Sequence, residues 1–192
     1  MDRTRLLNYI SDTFNLSSYL EIGIEGDAGN FRSIKTPFKH SIDITPTPYV
    51  MQVISSDDYF RQLDRKFDLM FIDGDHYSGQ VLKDIHNALN FISDDGYILC
   101  HDTMPYTEVM QIVPRETDGW CGDVWKAILR LRQSSDVYVQ TLNADFGLTI
   151  IRKNKTMPKY TDPISETWID YTLHREKFMN VLPEREFMAG LH

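Results

Sequence analysis

Cysteine is scarce in this chain of 192 residues, which contains only Cys100 and Cys121. Two cysteines are too few for the disulfide framework of a small secreted protein. Long apolar runs are also missing, because no segment approaches the ~20 apolar residues that a membrane helix needs. The first residues lack the apolar stretch of a signal peptide. We therefore expect a reduced, cytoplasmic protein without a membrane partner.

Positive charge is in deficit. Twenty Lys and Arg residues stand against 28 Asp and Glu residues, which gives a formal net charge of -8 at pH 7. A nucleic-acid partner is disfavoured, because binding to phosphates requires a basic surface. The hydrophobic fraction of 42% is that of an ordinary globular protein, and the length suits one domain with a substantial core.

Strand-like and helix-like patterns alternate along the chain. Apolar runs predict strands at residues 18–24, 39–43, 49–54, 67–72, 97–100, 137–142 and 147–152. Helical spacing predicts helices at residues 5–14, 31–35, 56–63, 81–92 and 122–132, with a glycine stop for the fourth at residues 94–96. This alternation predicts an α/β domain with a mostly parallel sheet, finished by an antiparallel hairpin.

Residues 155–192 have few strand signals but carry four large aromatic residues: Trp168, Tyr171, Phe178 and Phe187. We expect residues 1–154 to form the domain and residues 155–192 to form a helical extension. The extension would pack on the domain or on a partner subunit, so a homo-oligomer stays open. Residues 102–120 are predicted to form a long polar loop, which in a compact domain is usually functional or mobile.

A glycine-rich turn follows the first strand, in the pattern Glu21-x-Gly23-x-x-Gly26-x-x-Gly29. Glycine lets a ligand approach the backbone closely, although glycine after a strand is often only a turn. The acidic Glu21 would repel a pyrophosphate, whereas it suits a cationic cofactor. The turn therefore favours a nucleoside cofactor that carries positive charge.

Polar residues that follow the next two strands fit the rest of a nucleoside site. Asp43 ends the second strand about 20 residues after the glycine turn, where α/β sites place an acid for the ribose hydroxyls. Ser56 and Asp57 follow the third strand and suit an adenine edge. Each of the three has an alternative role, because such side chains also cap helices and turns.

Two further strands end in acids and histidines. The fourth strand runs into Asp73-Gly74-Asp75-His76, and the fifth runs into His101-Asp102. The carboxyl ends of parallel strands share one edge of the sheet, which is where ligands bind. Asp residues at strand ends also stabilise turns. Because acids and bases cluster in such clefts, we interpret Asp73, His76 and Asp102 together as functional.

With these motifs the sequence resembles the class I S-adenosylmethionine-dependent methyltransferases, over roughly residues 16–152. It is most similar to small-molecule and sugar O-methyltransferases with an Ile-Asp-Gly-Asp-His motif on the fourth strand. The resemblance implies a single-domain, Rossmann-like, doubly wound sheet of seven strands with an antiparallel last strand. It also implies methyl transfer to a hydroxyl, with cofactor contacts at Glu21, Gly23, Gly26 and Asp43. Ser56, Asp57 and Asp73 are further candidates for cofactor contacts.

Metal-dependent members of this group imply roles for the strand-end residues. The ligands of a divalent cation, Mg²⁺ or Mn²⁺, fall on Asp73, His101 and Asp102, and the general base falls on His76. The first ligand of the fifth strand is usually Asp or Glu, whereas here it is His101. Because Mg²⁺ prefers oxygen ligands, His101 either shifts the preference toward Mn²⁺ or another transition ion, or binds no metal.

Two alternatives remain at this point. An NAD-dependent oxidoreductase would share the strand, glycine turn and Asp43, but the spacing of Gly23, Gly26 and Gly29 does not fit Gly-x-Gly-x-x-Gly. A degenerate protein could keep the cofactor pocket without transfer activity, and His101 in place of an acid leaves that possibility open.

Overall fold

A computed structural model describes residues 1–24, 26 and 29–192. The helices are α1 (Arg3–Thr13), α2 (Gly29–Ser33), α3 (Ser56–Gln62), α4 (Ser78–Phe91), α5 (Val124–Ser134), α6 (Trp168–Phe178) and α7 (Glu184–Gly190). The strands are β1 (Ser18–Ile22), β2 (Phe38–Asp43), β3 (Gln52–Val53), β4 (Phe67–Ile72), β5 (Ile92–Cys100), β6 (Val137–Leu142), β7 (Leu148–Thr156) and β8 (Val181–Leu182).

The strands form one sheet in the order β3-β2-β1-β4-β5-β7-β6-β8. Strands β1 to β5 pair in parallel, and β7 pairs antiparallel with both β5 and β6. The predicted mixed α/β sheet with an antiparallel last strand is confirmed for the first seven strands. The described chain adds an eighth, β8, which is parallel to β6. Only two residues long, β8 has too little pattern to be recognised in the sequence.

Side chains of the central strands alternate between two cores. Leu20 and Met70 belong to the core on the α3, α4 and α5 face, whereas Tyr19 and Leu69 belong to the core on the α1 and α7 face. This is the period of two that a strand imposes on its side chains. Because both faces are covered by helices, β1 and β4 are almost wholly buried, as parallel strands in α/β proteins are, and β4 is apolar except at Asp68.

Several predicted boundaries differ from the structure, among them those of β3 and β5. Strand β3 covers only Gln52–Val53, because only these two positions pair with β2. Strand β5 begins at Ile92, directly after α4, because Ile92 already pairs with Phe67 of β4. The predicted glycine stop at residues 94–96 was therefore wrong, and Gly96 lies inside the strand.

The C-terminal segment packs on the sheet domain. Tyr171 and Phe178 of α6 are fully buried, with ring centroids 4.8 and 6.2 Å from that of Trp125 in α5. The Tyr171 hydroxyl donates to the carbonyl of Pro105, 3.1 Å away, so α6 also supports the loop after β5. Ile169 and Leu173 stay exposed on the other side of α6.

The longest helix of the described chain, α4, spans 14 residues. Within the described residues, none of the helices combines the length and the apolar character needed to cross a membrane.

Candidate active site

Two adjoining cavities open at the carboxyl ends of the strands. The His76 cavity has a volume of about 410 Å³, and its walls include Arg3, Ile24, Asp73, His76, His101, Asp102, Arg115 and Trp120. The Ser56 cavity has a volume of about 510 Å³, and its walls include Ile42, Ile54, Ser56, Asp57, Gln80 and Asp84. Gly23, Asp43 and Gly74 line both cavities. A ligand that passes these three residues can occupy both spaces.

Gly23 stands at the junction of the two cavities. Its φ of +92° lies in the region that favours glycine, and a Cβ atom here would lie 2.2 Å from the carbonyl oxygen of Asp73. The turn after β1 can approach the end of β4 only because this residue lacks a side chain. Gly26 is exposed, while Glu25, Asp27 and Ala28 of the predicted turn lie outside the described residues.

Glu21 faces the interior and is absent from the described walls of both cavities. Its carboxylate accepts hydrogen bonds from the Tyr19 hydroxyl at 2.5 Å and from the Asn30 amide at 3.2 Å. Burial raises the pKa of Glu21 to about 7, although these two hydrogen bonds act in the opposite direction. A contact between Glu21 and a cofactor therefore stays a prediction.

Asp43 ends β2 at the boundary between the cavities. One carboxylate oxygen accepts from the backbone N–H of Ile24 at 2.8 Å, and the other accepts from that of Thr45 at 2.6 Å. These bonds fix the carboxylate between the two turns. A carboxylate has about four acceptor positions, so capacity remains for ligand hydroxyls.

Ser56 and Asp57 begin α3 and line the Ser56 cavity, and their contact with an adenine edge stays a prediction. The helix cap is Ser55, whose hydroxyl accepts from the N–H of Asp58 at 3.1 Å. Ser56 is therefore not used as the cap. Its hydroxyl instead accepts from the Gln80 amide at 3.1 Å.

Asp73, His76, His101 and Asp102 form a compact group, here called the Asp–His cluster. The His101 Nδ1 atom lies 3.0 Å from an oxygen of Asp73 and 3.0 Å from an oxygen of Asp102. The His76 Nε2 atom lies 3.3 Å from Asp102 and 3.7 Å from Asp73. One ligand atom each from Asp73, His76 and Asp102 fits within 4.8 Å of the others. The structure thus brings all four sequence-predicted residues together.

The charges of the Asp–His cluster shift its protonation equilibria. Burial alone would lower the pKa of His101, but Asp73, Asp102 and Asp145 raise it to about 12. Asp73 and Asp102 likewise outweigh burial at His76 and raise its pKa. Burial pushes the pKa of Asp73 upward, yet the facing His101 and Arg3 hold it below its usual range. The cluster is a network of opposite charges.

The segment from Trp120 to Asp123 holds His76 in place. The Nδ1 atom of His76 donates to the Trp120 carbonyl at 3.2 Å, which turns Nε2 toward the acids. The two rings stack with centroids 5.1 Å apart. Gly122 has a φ of +60°, and a Cβ atom there would lie 2.0 Å from the His76 carbonyl oxygen. Asp123 donates its backbone N–H to that same oxygen at 3.1 Å.

Arg3 and Asp145 belong to the site but were missed by the sequence analysis. Arg3 Nη1 lies 2.9 Å from Asp73, and Arg3 Nε lies 3.1 Å from Asp145. Asp145 Oδ1 lies 3.6 Å from Nε2 of His101. The Arg3 contacts join residues 70 and 142 positions apart. No local pattern signals them.

Residues 22–103 match the family model of a methyltransferase domain. The sequence matches no curated protein. Two similar solved structures are the SAH-bound methyltransferase PaMTH1 of Podospora anserina and the O-methyltransferase of Bacillus cereus in complex with SAH. The first is 17% identical with a TM-score of 0.57, covering 78% of this chain and 77% of that chain. The second is 14% identical with a TM-score of 0.57, covering 79% and 80%.

A third similar structure is the MycE methyltransferase from the mycinamycin biosynthetic pathway, in complex with Mg, SAH and mycinamycin VI. It is 14% identical with a TM-score of 0.50, and the match covers 85% of this chain and 51% of that chain. At such identities the structural likeness concerns the fold. The family match itself spans the glycine turn, Asp43 and both acidic strand ends. Residues 22–103 thus match a methyltransferase domain, and the fold of the chain is the one that these solved methyltransferases share.

Proposed function

We propose that the protein transfers a methyl group from S-adenosylmethionine to a hydroxyl of a small molecule, with a sugar as the acceptor. The observation that carries this proposal is the pair of adjoining cavities. Asp43 lies where they meet, Ser56 and Asp57 line one of them, and the Asp–His cluster lines the other. One space suits a nucleoside, and the other offers acid–base groups beside it.

The cofactor would lie across both cavities. Its ribose hydroxyls would donate to Asp43, and its adenine would meet Ser56 and Asp57 in the Ser56 cavity. The rest of the molecule would pass Gly23, where the missing side chain leaves room. The sulfonium is cationic, and the carboxylates of Asp73 and Asp102 in the His76 cavity suit its charge.

His76 would act as the general base. The acceptor oxygen attacks the methyl carbon, the carbon–sulfur bond breaks with its electron pair going to sulfur, and the hydroxyl proton passes to Nε2 of His76. The hydrogen bond from Nδ1 to Trp120 supports this role, because it leaves Nε2 as the proton-accepting atom in neutral histidine. The neighbouring acids would then stabilise the imidazolium that forms.

The Asp–His cluster also fits a divalent cation. Carboxylates and imidazoles are a mixed donor set, which suits Mn²⁺ or another transition ion better than Mg²⁺. Asp73, Asp102 and Nδ1 of His101 would hold the ion, which would replace the proton that Nδ1 shares with the two acids, so that His76 stays free as the base. Asp145 faces the other nitrogen of His101 at 3.6 Å, as carboxylates behind metal-bound histidines do. When bound, such an ion lowers the pKa of the acceptor hydroxyl and orients it.

The sugar acceptor is supported by the walls of the His76 cavity. These walls are rich in charged groups, and the Trp120 indole offers an apolar face beside them. The MycE structure holds mycinamycin VI together with Mg and SAH. A polar molecule with several hydroxyls and an apolar ring face suits such a surface.

The test is a mass-spectrometric assay for SAH and methylated product with a panel of sugars and other hydroxyl compounds. We expect turnover on at least one sugar, a large loss in His76→Gln, and no loss in the matched control His86→Gln, whose histidine is exposed on α4. EDTA should lower the rate and Mn²⁺ should restore it. Full activity in EDTA would contradict the metal proposal, and cofactor binding without transfer to any acceptor would favour the degenerate protein.

A further inference from the structure

Arg3 is the first residue of α1, and its side chain lines the His76 cavity, although α1 precedes the first strand of the sheet. Its side chain is 28% exposed and lines the cavity together with Gly23 and Asp73. Asp145 fixes its position, because its carboxylate accepts from the Arg3 backbone N–H at 2.8 Å, from Nε at 3.1 Å and from Nη2 at 3.3 Å. The guanidinium is thus aimed by a bidentate carboxylate.

The guanidinium of Arg3 keeps hydrogen-bonding capacity for a ligand. It carries five N–H donors. Nε and one N–H of Nη2 serve Asp145, and Nη1 serves Asp73 at 2.9 Å while facing Nδ1 of His101 at 3.3 Å. Among the contacts of the described residues, one of the two N–H groups of Nη2 has a partner, which is Asp145. The second can serve a ligand in the cavity.

The amino-acid end of S-adenosylmethionine needs such a cation. This end carries a carboxylate, and it would enter the His76 cavity past Gly23. Four aspartates line this cavity and repel an anion, and His101 is held by its contacts with Asp73 and Asp102. The Arg115 guanidinium is bound to carbonyls of its own loop, and its side chain is 56% exposed. Arg3 is the better placed cation.

We propose that Arg3 binds the carboxylate of the amino-acid end of the cofactor, and that Asp145 is the positioning residue that aims it. This inference rests on the proposed function, because it takes S-adenosylmethionine as the cofactor. Asp73 beside Arg3 suits the ammonium group of the same amino-acid end. The pair Arg3 and Asp73 would then match the zwitterion with one charge of each sign.

The experiment compares two probes by calorimetry on the full chain. S-adenosylhomocysteine carries the amino-acid end, whereas 5′-methylthioadenosine keeps the adenosine and the sulfur but lacks that end. We expect Arg3→Gln to lower the affinity for S-adenosylhomocysteine by roughly 10- to 100-fold, which is the scale of a lost charge-assisted hydrogen bond. The affinity for methylthioadenosine should change by no more than about 2-fold. Arg3→Lys should retain part of the affinity for S-adenosylhomocysteine that Arg3→Gln loses. Asp145→Asn should lower this affinity less than Arg3→Gln does.

Arg5→Gln is the matched control, because Arg5 is an exposed residue of the same helix and pairs only with the nearby Asp2 among its described ion-pair partners. It should change neither affinity. Equal losses for both probes in Arg3→Gln would mean a structural role and would overturn the inference, as would an unchanged affinity for S-adenosylhomocysteine. If the unmodified protein bound neither probe, the cofactor assignment itself would fall, and the inference with it. Retained methylthioadenosine binding shows in the same sample that the variant is folded.

Discussion

The Nε2 atom of His76 lies 3.3 Å from a carboxylate oxygen of Asp102, although the two residues end different strands. Strands β4 and β5 are parallel neighbours, with Ile72 paired to Cys100, so their following residues meet at one edge of the sheet. Asp102 adopts a φ of +57°, which lies outside the strand region. The pairing of an acid with a base at this edge is the feature on which the proposed chemistry depends.

Replacing His76 with Gln should abolish most of the turnover. Gln retains polarity and similar size but cannot accept the proton, and loss of a general base usually costs about 10²–10⁴-fold in rate. The affinity for the cofactor should change little, because His76 is not among the residues proposed to contact the cofactor. Single-turnover rates and calorimetry on the same preparation separate the two effects. Undiminished turnover with the true acceptor would remove His76 from the mechanism.

Replacing Gly122 with Ala should damage the site through His76 rather than through the cofactor. The new Cβ would lie 2.0 Å from the His76 carbonyl oxygen in a backbone conformation that favours glycine. We expect a loss of about 1–3 kcal/mol in the free energy of unfolding, together with reduced turnover. Urea denaturation and initial rates measure these two quantities.

Gly79→Ala is the control for this change. Gly79 lies in α4 and has open space around the position of a Cβ atom, so alanine should be neutral or should stabilise the helix by roughly 0.5–1 kcal/mol. If both variants had the same stability and turnover, the close contact between Gly122 and the His76 carbonyl would not be needed to position His76.

Glu21→Gln should make stability less dependent on pH. The pKa of Glu21 is raised to about 7 in the folded protein by burial, whereas an unfolded chain has a value near 4.5. Folding therefore favours the protonated form. Below a pH of about 4.5, Glu21 is protonated in both the folded and the unfolded state, so it does not lower the stability. As the pH rises from about 4.5 to 7, the unfolded chain ionises more readily than the folded protein, and the free energy of unfolding falls. The variant should be more stable than the unmodified protein at pH 8, by on the order of 2–3 kcal/mol, but not at pH 4.

Urea denaturation at both pH values checks this expectation. A constant difference between the two proteins across that range would show that Glu21 ionises normally. The affinity of the same variant for S-adenosylmethionine tests the separate prediction that Glu21 contacts the cofactor.

The central strands, α4 and the two acidic strand ends could be predicted because each depends on local pattern. The apolar period of α4 is visible in Val81, Ile85 and Ala88, and parallel strand ends meet wherever the sheet forms. Contacts made by Arg3 could not be predicted in this way, because its partners Asp73 and Asp145 are distant in sequence. Nor does the sequence show that the Glu21 side chain turns inward to Tyr19, since that depends on the packing of α2.

Asp43→Asn should lower the affinity for the cofactor. The carboxylate would accept both ribose hydroxyls, and loss of a hydrogen bond to a charged group costs about 1.5–3 kcal/mol. The exposed Asp64 supplies the control variant Asp64→Asn, which should bind as the unmodified protein does. Equal affinities in all three proteins would place the ribose elsewhere.

The most direct test of the account is a calorimetric titration of the purified protein with S-adenosylmethionine and, separately, with NAD⁺. The adjoining cavities around Gly23 and Asp43 predict one binding site for S-adenosylmethionine and much weaker binding of NAD⁺, whose pyrophosphate would meet the four aspartates that line the Ser56 cavity. NAD⁺ binding that is tighter than that of S-adenosylmethionine would contradict the account.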